Sequence, residues 1–208
     1  MGVEMGNGEV VMAMSMYPKE GNPLWEQYST RSVAHTLKWY SHYTFDYPYP
    51  VAWSIHTDRI GMEYPMITFN GPRTELRENG ERTYSRSTKR YLIGVVIHEV
   101  GHFYFPMIVN SDERQWTWMD EGLNSFLQYY AEHDWDANYP SRRGPAPNIV
   151  NYMLDPDQVP IMVESDLIHK DSLSKTRAPS CWMRCSAHPS WLSRSSWPLI
   201  ANESPVAS

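Results

Sequence analysis

The chain has 208 residues, with 18 Lys and Arg against 24 Asp and Glu, and its formal net charge at pH 7 is therefore -6. That length suits one domain, with or without an appendage. Hydrophobic residues at 41% and charged residues at 20% exclude a wholly disordered or coiled-coil chain. Because there is no basic excess, nucleic acid is not predicted as a partner. No stretch reaches the roughly 18 apolar residues of a membrane helix, so no membrane span is predicted.

The two ends of the chain differ from its middle in composition. Residues 1–17 include Glu4 and Glu9 but no Lys or Arg, so the basic start of a signal peptide is missing and localisation stays open. Residues 172–208 hold 10 Ser, 3 of the 9 Trp and both Cys, but no Gly, Tyr, Asp or Phe. With 4 basic residues and 1 acidic residue, this segment has a net charge of +3, and residues 1–171 therefore have a net charge of -9. We therefore predict a folded unit over 1–171 and an irregular tail over 172–208 that is disordered or aberrant.

The first half of the chain predicts several strands and one long helix. Residues 1–17 alternate loosely and indicate one or two strands. Apolar residues at three-to-four spacing predict a helix over 22–43. Alternation predicts a strand over 51–60, and a further short strand is expected over 64–69. The polar residues 73–89 are expected to form a loop that enters the next helix.

The second half predicts two helices that face each other. Residues 91–105 form the most apolar stretch and predict a buried helix that Pro106 ends. Residues 120–134 carry apolar side chains at helical spacing, with two carboxylates in the expected first turn, where the helix dipole favours negative charge. Another helix is expected to start within 149–154. Mixed helices and strands in this order indicate the α+β class.

One short pattern in the first of these helices carries metal chemistry. Residues 98–102 read H-E-V-G-H, which matches the HExxH pattern. On a helix, His98 and His102 lie on one face, so both imidazoles can reach one ion, while Glu99 can hold a water beside it. Zinc suits such a metal-binding site, because an open coordination position lets it activate water and polarise a carbonyl. The alternative is a fortuitous match, expected roughly 0.02 times in a chain of this composition.

A third ligand is expected from the start of the next helix. Glu121 follows His102 after 18 residues, at a point where two packed helices would bring the three side chains together. Glu121 taken alone is better explained as a surface charge that complements the helix dipole. The combined pattern H-E-x-x-H-x18-E instead favours Glu121 as the third metal ligand.

Together these motifs resemble the gluzincin zinc metallo-aminopeptidases of the aminopeptidase N type. The resemblance rests on H-E-V-G-H at 98–102, on W-M-D-E-G at 118–122 and on I-G-M-E-Y at 60–64, and it covers roughly residues 40–170. It implies a thermolysin-like zincin catalytic domain, present in part over residues 1–171. It also implies one zinc ion per chain, with His98, His102 and Glu121 as metal ligands and Glu99 as the catalytic general base.

The upstream motif implies a substrate-binding strand. By the resemblance, Glu63 binds the free α-amino group of a peptide, while Gly61 and Met62 line its backbone. A carboxylate in a confined site pairs well with an ammonium group, and a strand edge can hydrogen-bond an extended peptide. The motif departs from the family's G-x-M-E-N form, because Ile60 stands in place of Gly and Tyr64 in place of Asn.

Two further departures concern the chemistry of the site. Asp120 replaces the family's usual Asn, and it serves either as an acceptor for a ligand histidine or as a helix N-terminal charge. Family members also carry a tyrosine some tens of residues beyond the glutamate ligand, which hydrogen-bonds the reacting oxyanion and is typically worth ~10²–10³ in rate. The last tyrosines here are Tyr139 and Tyr152, and the expected position falls in the Tyr-free tail.

The function predicted from the sequence is hydrolysis of N-terminal peptide bonds through a metal-activated water. The enzyme would be a hydrolase acting in proteolysis, and its partner a peptide substrate with a free N-terminus. The first alternative is a truncated or frameshifted zinc-binding fragment without significant catalysis, motivated by the tail. The second is an aromatic-rich binding module in which HExxH is fortuitous.

Overall fold

A computed structural model of the protein describes residues 1–58, 60–116, 118–141 and 164. The described part combines helices with a mixed sheet, which confirms the α+β class. Its strands are β1 (Gly2–Glu4), β2 (Val10–Met16), β3 (Val51–His56), β4 (Gly61–Tyr64), β5 (Ile67–Asn70), β6 (Glu75–Leu76) and β7 (Arg82–Thr83). Its α-helices are α1 (Leu24–Tyr43), α2 (Arg86–Gly101) and α3 (Leu123–Trp135). The predicted tail over 172–208 and the predicted helix within 149–154 lie outside the described residues.

Five strands form one sheet in the order β1-β2-β3-β5-β4. The inner pairs β2–β3 and β3–β5 are parallel, while β1–β2 and β5–β4 are antiparallel. Helix α1 connects the parallel strands β2 and β3, as a parallel connection requires. Strand β4 therefore forms one edge of this sheet, and α2 packs against β4 and β5.

The start of the chain follows its prediction closely. Two strands form within residues 1–17, and the predicted helix over 22–43 is α1, which begins at Leu24. Strand β3 ends at His56, four residues earlier than the alternation over 51–60 predicts. Residues 61–64, which carry the G-M-E-Y motif, instead form the separate strand β4.

The prediction of one strand over 64–69 was wrong. The chain makes a tight hairpin there, with Tyr64 paired to Ile67 across a turn formed by Pro65 and Met66. Met66 adopts a φ of 66°, a left-handed conformation that is uncommon outside glycine. Pro65 is a residue that commonly marks a turn, but Met66 takes the left-handed position that Gly or Asn usually fills, so the turn carries only half of its usual signal. The polar residues 73–89 also hold the small hairpin β6–β7 rather than loop alone.

Helix α2 starts earlier and ends earlier than the apolar stretch 91–105 predicts. Ser85 caps its start, where the Thr88 backbone N–H donates to the Ser85 hydroxyl oxygen at 3.0 Å. The α-helix ends at Gly101 and gives way to an irregular π-type turn, Phe103–Ile108. Pro106 has no N–H to donate to the His102 carbonyl, and the Met107 N–H bonds it instead at 3.2 Å. Pro106 therefore widens the turn.

The prediction that Asp120 and Glu121 lie in the first turn of an α-helix was also wrong. They belong to a π-helical turn, Trp118–Gly122, and α3 begins after it at Leu123. Consecutive residues of a regular α-helix point about 100° apart. The wider turn allows both carboxylates to contact histidines of α2, at the distances given below.

The interior lies between the sheet and the three helices, and α2 is its centre. One face of α2 is fully buried among α1, α3 and the sheet. Residues 86–108 together are long and apolar enough to cross a membrane by length and composition alone. However, 78% of their most apolar window is buried inside the protein, so they are weak evidence for a membrane span.

Candidate metal centre

Helix α2 places two imidazoles side by side in the interior. His98 and His102 are one turn apart, and their Nε2 atoms lie 3.3 Å from each other. Their rings meet edge to face, with centroids 4.7 Å apart. Only 1% of His102 is exposed. Buried imidazoles need polar partners, because leaving them without any costs free energy.

A carboxylate from the Trp118–Gly122 turn completes a three-residue cluster. The Glu121 Oε2 atom lies 3.1 Å from His98 Nε2 and 3.9 Å from His102 Nε2. Ligands held tetrahedrally at about 2.0–2.1 Å from a zinc ion stand about 3.3 Å apart; two of the three spacings in this cluster are close to that value and the third, 3.9 Å, is longer. Two imidazole nitrogens and one carboxylate oxygen are also the donor set of many catalytic zinc sites. The residues therefore fit a zinc ion.

The far nitrogen of each histidine bonds a different acceptor. His98 Nδ1 lies 2.8 Å from the side-chain oxygen of Gln128 on α3. His102 Nδ1 lies 3.0 Å from the Phe105 carbonyl oxygen and 3.2 Å from a carboxylate oxygen of Asp120. Since these acceptors have no proton to give, they suit rings that carry the proton on Nδ1 and would offer the Nε2 lone pair to a metal ion in the cluster. Asp120 thus lies near His102, although the shorter contact of His102 Nδ1 is with the Phe105 carbonyl.

A row of polar residues on α3 lies behind His98, and the sequence prediction did not include it. Asn124, Gln128 and Glu132 follow each other at intervals of four and are 0%, 4% and 3% exposed. The Asn124 amide donates to the His98 backbone carbonyl at 2.8 Å and accepts from the Tyr40 hydroxyl at 2.9 Å. A signal was available in the sequence, because polar residues at intervals of four share one face of a helix. The prediction counted only the apolar residues of that helix.

The close approach of α3 to α2 depends on Gly101, inside the HExxH motif. A methyl group at Gly101 would collide with the Asn124 side-chain oxygen, and it would lie 2.5 Å from the Tyr40 hydroxyl. Tyr40 is buried, and burial, followed by the charge of Glu132, holds its pKa well above the usual value. Tyr40 is therefore the neutral donor that this contact requires.

Glu99 lies between the histidine cluster and the edge strand β4. It is buried, and its carboxylate touches Gly61, where an added Cβ would collide with Glu99 Oε1 and come within 2.8 Å of Val95. One carboxylate oxygen each of Glu63 and Glu99 and a ring nitrogen of His102 all lie within 4.8 Å of one another. The structure thus brings the proposed base and the proposed amine-binding carboxylate to the histidine cluster.

The other residues of the upstream motif lie at the open edge of the sheet. Met62 on β4 is exposed, and Glu63 is half-buried opposite Thr68 of β5. The pKa of Glu113, in the loop before the Trp118–Gly122 turn, is raised by burial and then by the negative charge of Glu63. The sequence analysis did not predict that Glu113 lies near the site, and nothing in the spacing of its loop residues indicates this position.

A cleft of about 990 Å³ opens onto the cluster. It is lined by His98, Glu99, Glu121 and Gly61, and it continues along α2 towards Tyr91. Tyr139 also lines this cleft, and its hydroxyl donates to the Arg90 carbonyl. Burial, followed by the charge of Glu132, raises the pKa of Tyr139. Tyr152 lies outside the described residues.

Comparison with known families agrees with this geometry. Residues 28–172, about two thirds of the chain, match the Peptidase family M1 domain. The chain belongs to peptidase family M1. M1 members are zinc peptidases, so family membership indicates a metal-dependent hydrolase of peptide bonds. No curated protein sequence matches the chain. The M1 match ends at residue 172, where the change in composition begins.

Proposed function

We propose that this M1 chain is a zinc-dependent aminopeptidase whose catalytic domain has the thermolysin-like zincin fold. The observation that carries the proposal is the spacing of His98, His102 and Glu121, which suits one zinc ion per chain. Family membership supports the peptidase class. The position of Glu63 beside the cluster supports the aminopeptidase type.

In this proposal Glu99 moves the proton. A bound zinc ion supplies Lewis acidity, which polarises the scissile carbonyl and acidifies water. The carboxylate of Glu99 accepts a proton from the attacking water and then gives it to the departing amine nitrogen. Burial of Glu99 beside the cluster and against Gly61 holds the carboxylate in one place, which favours this transfer.

Strand β4 is proposed to bind the substrate. Because β4 is an edge strand, an extended peptide can pair with its free backbone groups. Glu63 would then pair with the α-ammonium group of that peptide, while Gly61 and Met62 lie along its first residues. The Glu63 carboxylate is close enough to Glu99 to limit the peptide to about one residue before the scissile bond.

The test combines metal content with turnover. The purified 208-residue chain should hold about one zinc ion and should hydrolyse an aminoacyl reporter, whereas the same reporter with an acetylated amino group should be a poor substrate. Glu99→Gln should retain zinc and lose turnover. Wild-type turnover by that variant would refute the assigned base, and equal cleavage of the acetylated reporter would refute the role of the amino group.

A second candidate is a zinc-binding domain that lacks significant catalysis. The observation in its favour is that the M1 match ends where the Tyr-free segment 172–208 begins. We propose that the domain covers residues 1–171 and the tail residues 172–208, so that their boundary lies at the end of this match. This candidate requires stoichiometric zinc without hydrolysis, so rapid turnover by the chain as written would exclude it. Absence of stoichiometric zinc would instead favour a binding module with a fortuitous HExxH.

A further inference from the structure

The side-chain amide of Gln128 is held in one orientation by two acceptors. Its Nε2 lies 2.7 Å from Glu132 Oε1 and 3.2 Å from the Gly94 backbone oxygen. The Gly94 carbonyl can only accept a hydrogen bond. If the amide were turned over, its oxygen would face two oxygens in the interior, which is costly because buried polar groups must be paired.

That orientation decides which group faces His98. With Nε2 committed to Glu132 and Gly94, the Gln128 Oε1 atom points at His98 Nδ1 at 2.8 Å. An amide oxygen accepts only, so this contact is a hydrogen bond only when Nδ1 carries the proton of the neutral ring. The lone pair is then on Nε2, the atom that lies 3.3 Å from His102 Nε2 and 3.1 Å from Glu121.

We propose that Gln128, oriented by Glu132 and the Gly94 carbonyl, is a positioning residue that fixes the Nδ1–H tautomer of His98 before a metal arrives. This deepens the proposed function, since the selected tautomer is the one in which His98 can bind zinc through Nε2. Preselection favours binding because no ring has to exchange its proton or turn over when the ion enters.

Asn124 is the other amide near His98, and it does not oppose this selection. Its Nδ2 donates to the His98 backbone carbonyl at 2.8 Å, while its distance to His98 Nδ1 is 3.4 Å. The Asn124 oxygen is bonded by the Tyr40 hydroxyl, so this amide is also held in one orientation. The acceptor that competes with Gln128 for the proton is the Glu121 carboxylate, 3.1 Å from His98 Nε2. The shorter contact, 2.8 Å between Gln128 Oε1 and Nδ1, favours the proton on Nδ1.

The experiment reads the tautomer directly. The 208-residue chain, with ¹⁵N-labelled histidine and stripped of zinc by a chelator, would be examined by NMR at a pH well above the ordinary histidine pKa. Wild-type His98 should show a protonated Nδ1 and an unprotonated Nε2. A proton on Nε2 of wild-type His98 would overturn the proposal, and this measurement needs no variant to fold.

Two variants and one control extend the test to zinc affinity. Gln128→Met removes the acceptor, and Glu132→Gln keeps the shape but can donate to Gln128 and so release its orientation. Both should yield mixed tautomers at His98 and weaken zinc binding, by about 10–100-fold for Gln128→Met and about 10-fold for Glu132→Gln, in competition with a chromophoric chelator. Leu127→Ala, which cuts a buried apolar side chain on the same helix, should lower stability without changing the tautomer or the zinc affinity.

The outcomes separate this proposal from the proposed function. If wild type has the Nδ1–H tautomer but binds no stoichiometric zinc, the zinc aminopeptidase fails while the positioning role of Gln128 stands. If zinc binds but both variants keep the wild-type tautomer and affinity, the positioning role fails and the metal site stands. An equal change in Leu127→Ala would also refute it, because the effect would then follow from general loss of packing.

Discussion

The helix pair α2–α3 and the edge strand β4 contribute to one site in opposite ways. The helices hold His98, His102 and the polar row of α3 in the interior, where both imidazoles and the Gln128 amide have partners at hydrogen-bond distance. Strand β4 has exposed residues along most of its length and stands at the edge of its sheet. The two regions touch where Gly61 meets Glu99.

This difference corresponds to what a metal ion and a peptide each require. A metal site functions when its ligands are already oriented, and buried hydrogen bonds provide that orientation. An extended peptide requires free backbone groups, and an edge strand provides them without rearrangement. The proposed division is therefore a fixed interior for the ion and an open edge for the substrate.

Removing a histidine of the helix pair should have the largest effect. His102→Ala deletes one of three donors, so the chain should change from about one bound zinc to none, and turnover should disappear with it. Metal analysis of the purified protein and the aminoacyl reporter assay measure both changes. The control is His42→Ala, an exposed histidine of α1. Retention of stoichiometric zinc by His102→Ala would show that the ion binds elsewhere.

Glu99→Gln should have the next largest effect, and it should separate binding from chemistry. The amide keeps the size of the side chain but cannot take a proton, so kcat should fall by about 10²–10⁴ while zinc content and KM stay close to wild type. Steady-state kinetics with parallel zinc analysis measure this. If kcat is unchanged, the proton acceptor is another group and the helix pair has only a metal-holding role.

Gly61→Ala tests the contact between the two regions. The added Cβ would collide with Glu99 and Val95, so the strand or the carboxylate has to move. A displacement of about 1 Å can cost about 10² in rate, and kcat should therefore fall by about that factor with zinc retained. Leu76→Ala, at an exposed strand position without a proposed role in the site, is the control. Equal kcat for Gly61→Ala and wild type would show that the contact is not required.

Glu63→Gln tests the substrate-binding edge alone. Loss of a charge-assisted hydrogen bond to the α-ammonium group should lower kcat/KM by about 10–100-fold, because such a bond is worth about 1.5–3 kcal/mol. Zinc content should not change. Glu75→Gln on β6, which removes an exposed strand carboxylate, should leave kcat/KM unchanged. Discrimination between free and acetylated reporters should decrease in Glu63→Gln, and undiminished discrimination would remove Glu63 from amine recognition.

The two regions also differed in how well the sequence predicted them. Helical periodicity predicted that His98 and His102 share one face, and the interval of 18 residues in the combined pattern added Glu121 to the cluster. The hairpin at Pro65 and Met66 was missed, since its left-handed residue is not one that usually marks a turn.

The irregular turns and the polar row were missed for another reason. The π-type turn beside Pro106 depends on which N–H replaces the missing donor, and sequence periodicity carries no information on that choice. The hydrogen-bond partners of Gln128 lie on α2, far away in sequence, so its role becomes visible only when the helices pack. The HExxH pattern itself indicated that Glu99 holds a water beside the metal, whereas only the family resemblance supplied the role of Glu63.

The smallest expected effect concerns the stability of the helix framework as pH falls. His35 of α1 donates from Nε2 to the Ala131 carbonyl of α3 at 2.9 Å and packs against Trp135. Burial lowers the pKa of His35 below its ordinary value of 6.5, and Lys38 acts in the same direction, while the Ala131 carbonyl and Asp134 partly oppose them. Folding therefore favours the neutral ring. Its contribution to the free energy of unfolding is fully present above pH 6.5, the pKa in the unfolded chain. That contribution is lost as the pH falls from this value towards the lower pKa of the folded state.

A comparison of two variants isolates this contribution from other titrating groups. His35→Gln keeps a donor for the Ala131 carbonyl but does not titrate, so its free energy of unfolding should fall less than that of wild type between roughly pH 7.5 and 5.5. Denaturant unfolding at several pH values measures both slopes. His42→Gln, at an exposed position of the same helix, should follow wild type. If the free energy of unfolding depends on pH equally in wild type and in His35→Gln, the contact between α1 and α3 does not make the helix framework sensitive to acid.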